Sequence, residues 1–206
     1  MRIQHLTAES RKNLLEDLLK RSPNNYGQYE EGVQAILDRV KNEKDQAIFD
    51  YTYQFDKVKI DSSNIRVTEE EIKEAYELAD PELVKIIRKA LENIKAYHEK
   101  QRQYSWFDSK PDGTMLGQKV TALQRVGVYV PGGKAVYPSS VLMNIVPAKV
   151  AGVEEIIMVT PPGKDGKVTP NTLIAANEAG ATAIYKVGGA QAIGALAYGT
   201  ESIPKV

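Results

Sequence analysis

Two regimes of hydrophobic patterning divide the chain near residue 120. Before that point apolar residues recur mostly at helical spacing; beyond it, short apolar runs alternate with helical ones. Thr7-Ala-Glu-Ser-Arg opens a helical pattern carrying Leu14, Leu15, Leu18 and Leu19, which Ser22-Pro23-Asn24-Asn25 ends. Val33, Ile36, Leu37 and Val40 predict a second helix, residues 42–45 a polar interruption, and Ile48, Tyr51, Thr52 and Phe55 a further apolar face. Residues 60–67 have weak strand character. Thr68 and Glu71 fit a capping box for a helix running to about Ala79. Asp80-Pro81 starts another, whose face (Leu83, Ile86, Ile87, Ala90, Leu91, Ile94, Tyr97) carries it to about Gln103. Trp106 and Phe107 are expected to anchor the segment leaving that helix. Asp112-Gly113 reads as a turn and residues 116–122 as a further strand.

Beyond residue 120 strands and helices alternate. Residues 126–130 read as a strand, stopped by Pro131 and followed by Gly132-Gly133. Ser139 or Ser140 is expected to cap a helix over 140–151, with Gly152 as its stop and Pro147 predicting a kink or break near Val146. Residues 155–160 read as a second strand and 161–167 as a loop. Thr169-Pro170 supplies an N-cap and a first-turn proline for a helix ending at Gly180. Residues 183–187 read as a third strand, and Gly188-Gly189 leads into a small-residue helix to Tyr198. Such repeats imply parallel strands with right-handed crossovers, and near-continuous apolar strands imply a sheet covered on both faces. The expected fold is α/β: a helical N-terminal region (1–120), then an incomplete Rossmann-like parallel sheet with helices on both faces (121–206).

That topology has a geometric consequence. The turns at 131–133, 161–163 and 188–189 all follow strand C-termini, so they share the sheet edge where open α/β folds bind ligands. A strand, a glycine-rich turn and a helix N-terminus in that order suit an anion or nucleotide. An ordinary strand-to-helix turn is the competing reading. No Gly-x-Gly-x-x-Gly follows any strand, and Lys134 and Ala135 depart from a phosphate-binding Walker loop, which makes ATP hydrolysis an unsuitable reading. Gln191, in the first turn of an Ala/Ile/Leu helix, either satisfies nearby backbone groups or binds a ligand. Tyr129 either packs in the core or presents its ring or hydroxyl to a cofactor. Lys134, Tyr137 and Ser139 lie close to the same edge.

Composition narrows the chemistry. Lys plus Arg (27) balances Asp plus Glu (27), which gives no electrostatic reason to expect nucleic acid or an anionic membrane. The absence of cysteine excludes disulfides, thiolate metal sites and cysteine nucleophiles within the chain, and argues against thioester-type aldehyde oxidation. His5 and His98 are too far apart in sequence to give metal-ligand spacing. No apolar run approaches a bilayer span and the N-terminus lacks a signal-peptide core, so a cytoplasmic location is expected.

Several segments together resemble histidinol dehydrogenase: Val126-Gly-Val-Tyr-Val-Pro-Gly-Gly133, Tyr137-Pro-Ser-Ser-Val-Leu-Met143, Pro147-Ala-Lys-Val-Ala-Gly152, Val187-Gly-Gly-Ala-Gln-Ala-Ile193 and Ala197-Tyr-Gly-Thr-Glu-Ser-Ile-Pro204. Tyr51-Thr-Tyr-Gln-Phe-Asp56 fits as well. The resemblance implies an NAD-dependent, zinc-requiring, homodimeric enzyme that oxidises L-histidinol through L-histidinaldehyde to L-histidine. It makes Tyr129 and Gln191 cofactor-binding residues, with Pro131, Gly132, Gly133, Gly188 and Gly189 lining the same turns. It also places the family's zinc ligands, substrate contacts and catalytic acid–base pair beyond Val206, so no catalytic or metal residue is expected within the chain. The chain alone is therefore expected to be an inactive fragment that self-associates through an exposed strand edge. The alternative is a natural half-length nucleotide-binding or partner-binding module without catalysis.

Overall fold

A computed structural model describes residues 5, 7–12, 26–132 and 136–206. It divides into two compact units, Met1–Ala35 and Ile36–Val206. In the first, residues 8–12 are helical, and Thr7 and Ser10 exchange hydrogen bonds between their backbone amides and each other's hydroxyls at 2.7 and 3.1 Å. The helix expected from Thr7 therefore opens on a reciprocal cap. Its Leu14 to Leu19 face lies outside the described residues. Helix α1, Gly27–Glu43, begins in this unit and ends in the second.

Lys44, at φ 52, separates α1 from α2, Asp45–Asp56. Residues 60–67 form no full strand. Ile65 and Val67 instead flank a single bridge between Arg66 and Tyr185, with Lys186 N donating to Ile65 O at 2.8 Å and Val67 N to Ile184 O at 2.9 Å. The capping box at Thr68 is present, with both reciprocal hydrogen bonds, and starts α3, Glu69–Leu78. Helix α4, Pro81–Glu99, starts on an Asp80 cap and stops short of the expected Gln103.

Strands β1 (Trp106–Ser109) and β2 (Met115–Gln118) then pair antiparallel around the turn at Gly113, φ 85. This corrects two expectations. Trp106 and Phe107 are not buried anchors but are 57% and 61% exposed, and the second strand ends at Gln118 within a hairpin. A two-stranded hairpin buries neither face unless another element covers it.

The central sheet has order β3-β4-β5, all parallel: β3 Arg125–Tyr129, β4 Glu155–Thr160 and β5 Ala183–Lys186. Helix α5, Pro138–Ala151, follows β3. Its N-cap position is Tyr137 rather than Ser139 or Ser140, without a side-chain cap, because Pro138 already supplies the first-turn φ. Nor does Pro147 break it. The carbonyl deprived of its usual donor belongs to Met143, on the exposed side, where water can serve it. Val141, Leu142, Ile145 and Val146 bury the other side. Helix α6, Pro170–Ala179, follows β4; Thr169 holds its N-cap position, but its hydroxyl meets Thr172 Oγ1 at 2.9 Å instead of capping the backbone. Helix α7, Gly189–Tyr198, follows β5.

Helices cover both faces of the sheet. Val128, Val130, Ile156, Met158 and Ile184 pack on one side with α3, α4, α5 and α6. Ile157, Val159, Tyr185 and Val187 pack on the other with Val40, Ala47, Ile48, Ala192 and Ala195, from α1, α2 and α7. Alternating strand residues thus feed two cores. Among the described residues β3 has a strand partner on one side only.

Candidate functional site

The three strand-end turns converge on Pro161. A methyl group at Gly132 would sit 2.8 Å from Pro161 Cγ, and one at Gly188 would sit 2.6 Å from Pro161 Cβ. Gly188 has φ −123 and ψ −173, an extended conformation open to any residue, so space rather than backbone freedom requires glycine there. Gly189 differs: its φ of 68 is left-handed, and a methyl group on it would come within 2.6 Å of Gln191 Oε1. The missing side chains let three backbones and one carboxamide crowd together at the N-terminus of α7.

Tyr129 closes β3 at this edge. It is 36% exposed, and the Gly189 amide lies 3.4 Å from its hydroxyl, so the first and third turns are linked directly. Of its two readings, full burial in the core fails. Gln191 is 1% exposed, yet its Oε1 has no hydrogen-bond partner. For that oxygen the reading in which the amide satisfies local backbone also fails. An unpartnered buried acceptor costs roughly 1–3 kcal/mol, which a donor from a ligand would recover.

The other expected positions are spread around the same edge. Pro131 and Gly132 are exposed, Gly188 is buried and Gly189 exposed. Tyr137 and Ser139 are exposed on the approach to α5. Gly133 and Lys134 lie outside the described residues. His98, half-buried at the end of α4, meets Gln101 Oε1 at 2.7 Å through Nδ1.

The sequence reading missed Lys186, the last residue of β5. It is 5% exposed, and its Nζ donates to Glu71 Oε1 at 2.5 Å. Glu71 Oε2 in turn accepts from Thr68 N at 3.0 Å, so one carboxylate closes the capping box of α3 and neutralises a buried lysine beside the third turn. On the exposed side, Lys167 binds both oxygens of Glu74 at 2.7 Å, and the carboxylate raises the lysine's affinity for its proton. These pairs border a cleft between α3 and the start of α6 that includes neither Tyr129 nor Gln191. Among the described residues, no three or more His, Asp or Glu side chains are grouped to hold a metal ion.

The family model described as histidinol dehydrogenase matches residues 19–206. This chain belongs to the histidinol dehydrogenase family. The histidinol dehydrogenase of Bacillus subtilis (strain 168) is 60% identical over 174 residues, covering 84% of this chain and 40% of that protein. That of Listeria innocua serovar 6a is 48% identical over 201 residues, covering 98% of this chain and 46% of that protein. The crystal structure of histidinol dehydrogenase from Elizabethkingia anophelis superposes with a TM-score of 0.81 at 38% identity, covering 86% of this chain and 41% of that one. The chain thus spans less than half the length of these histidinol dehydrogenases. The region matched to the histidinol dehydrogenase model takes in Tyr129, Gln191 and all three strand-end turns.

Proposed function

We propose that this chain is the cofactor-binding part of an NAD-dependent histidinol dehydrogenase, whose reaction takes L-histidinol through L-histidinaldehyde to L-histidine. The observation that carries the reading is the buried, unpartnered Gln191 Oε1 at the convergence of three glycine-bearing strand ends. NAD supplies the hydride acceptor for both oxidations. Gln191 offers a fixed acceptor to a cofactor hydroxyl or amine, at no desolvation cost on binding because its oxygen is already buried. Tyr129 places a half-exposed aromatic surface and a hydroxyl beside it. Gly132, Gly188 and Gly189 let the turns close on Pro161 and Gln191 and so shape the edge on which the cofactor lies, Pro131 opens the first of these turns, and the first amides of α7 suit the cofactor's pyrophosphate. Gly133 belongs to the same turn by sequence.

The described residues do not fit a zinc ion, so no step is assigned to zinc here. We assign the metal ligands, the substrate contacts and the acid–base groups to the part of the family's length that this chain does not span. Residues 121–206 form the NAD-binding domain and residues 1–120 the helix-rich region. The working protein is a cytoplasmic homodimer. Among the described residues no helix is long and apolar enough to cross a membrane.

The test is reconstitution. The chain alone, given histidinol, NAD and zinc, is expected to form no NADH, whereas joining it to the remaining segment of the Bacillus subtilis relative restores turnover. Turnover by the chain alone, or an inactive joined protein that folds and dimerises, would contradict the assignment.

A further inference from the structure

Two buried side-chain atoms lack a hydrogen-bond partner among the described residues: Gln191 Oε1 and Thr52 Oγ1. Thr52 is fully buried in α2, and its hydroxyl does not bond back to the preceding helical turn, the usual resort of a mid-helix threonine. One orphaned hydroxyl is an isolated cost; two orphaned atoms on the buried faces of two helices that share one core suggest a shared site.

Helices α2 and α7 pack on the same face of the sheet, contributing Ala47, Ile48, Ala192, Ala195 and Leu196 to one core. They run in opposite directions. Asp45, the first residue of α2, binds the segment just beyond the end of α7: Ser202 Oγ donates to Asp45 Oδ2 at 2.6 Å, and Asp45 N donates to Glu201 Oε2 at 3.2 Å. At its other end α2 leads to Val58, against which a methyl group at Gly166 in the second strand-end loop would rest at 3.4 Å. The start of α2 therefore lies by the end of α7, and its end lies toward the strand-end turns. Thr52 stands about two helical turns, ~10 Å, above Asp45, and Gln191 about two turns, ~10 Å, above Tyr198. Thr52 is one turn beyond Ile48 on the buried face of α2. Gln191 is one turn before Ala195 on the buried face of α7. Both orphaned atoms thus occupy the upper part of one seam.

We propose that Thr52 is a positioning residue for Gln191: its hydroxyl reaches the Gln191 carboxamide across one buried water molecule and fixes that amide before the cofactor arrives. This rests on the reading of Gln191 as a cofactor contact. A hydroxyl both donates and accepts, so it serves whichever end of the amide faces it. The amide would otherwise have to be ordered on binding, at a cost in affinity.

The test compares Thr52→Val, Thr52→Ser and Gln191→Ala in this chain and in the joined full-length protein. Valine keeps the shape and removes the hydroxyl; serine keeps the hydroxyl. Thr52→Val is expected to weaken NAD binding roughly five-fold or more. Thr52→Ser retains the affinity, and Thr52→Val adds nothing to Gln191→Ala. NMR gives a readout independent of NAD: the Gln191 side-chain NH2 signals shift in Thr52→Val and stay near their native positions in Thr52→Ser. Unmoved amide signals, or native NAD affinity in Thr52→Val where Gln191→Ala is impaired, overturn the positioning role alone. Native NAD affinity in Gln191→Ala removes the cofactor reading and this role with it.

Discussion

Gly188→Ala perturbs the site's architecture without touching its chemistry. The backbone at 188 is extended, so alanine adds no conformational strain. Its methyl group would lie 2.6, 3.0 and 3.1 Å from Cβ, Cγ and Cδ of Pro161. Carbon atoms pack at about 3.5–4.0 Å, so the ring and the third turn must part by about 1 Å. Neither side yields easily, because Pro161 continues a buried strand and Gly188 follows the buried Val187. Overpacking of this kind costs ~1–3 kcal/mol, and the loss of glycine's unfolded-state freedom offsets ~0.4–1 kcal/mol of it. The expected net loss in urea unfolding is about 1–2 kcal/mol, with an unchanged dependence on denaturant.

Gly132→Ala supplies the internal control. Its methyl group meets Pro161 at Cγ, the carbonyl oxygen and Cδ, at 2.8, 3.2 and 3.3 Å, rather than at Cβ. In a Pro161→Ala background, which keeps Cβ and removes the rest of the ring, the cost of Gly132→Ala should fall, leaving only the carbonyl contact, and that of Gly188→Ala should persist. A Gly188→Ala protein within about 0.5 kcal/mol of the parent, or equal relief of both substitutions by Pro161→Ala, would refute the convergence of the three turns.

Thr68→Ala removes one half of the capping box and should cost about 1 kcal/mol in chemical denaturation; no measurable loss would mean that Glu71, held by Lys186, caps α3 alone. Arg88, followed by the Tyr76 hydroxyl, lowers the pKa of Glu178 below its ordinary value. Its contribution is therefore present above the unfolded carboxylate's pKa of about 4.3 and is lost as pH falls through the lower folded value. A pH series of unfolding measurements should show the advantage over Glu178→Gln shrinking in that acid window, and a gap that stays constant there would contradict the pairing.

Local chemistry made much of this fold legible. Thr68 with Glu71, Asp80 with Pro81, and the glycines at 152 and 180 each mark a helix end through interactions confined to a few residues, and each marks one in the structure. The apolar runs at 155–160 and 183–187 became β4 and β5 because strands covered on both faces need no alternation. Elsewhere packing decided. Of the kink or break expected at Pro147, the break does not occur: the proline is carried within α5 by the burial of Val141, Leu142, Ile145 and Val146, a gain that sequence periodicity does not weigh against proline's cost of ~3 kcal/mol. Trp106 and Phe107 read as anchors of the segment leaving α4, although they lie exposed on a hairpin. At the site, Tyr129, Gln191 and the strand-end glycines could be picked out because topology places strand C-termini on one edge. The Lys186–Glu71 pair could not, since its members are 115 residues apart and each belongs to an unremarkable local pattern. Nor does any pattern in sequence reveal that Thr52 and Gln191 are both orphaned in one seam.

The central claim is that the cofactor half of the site is formed within this chain. Titrating the purified chain with NAD while following backbone amide NMR signals tests it most directly. Saturable shifts centred on Tyr129, Gly132, Gly188 and Gln191, absent in Gln191→Ala, are the predicted result. An unperturbed spectrum at millimolar NAD, or shifts centred elsewhere, would contradict it.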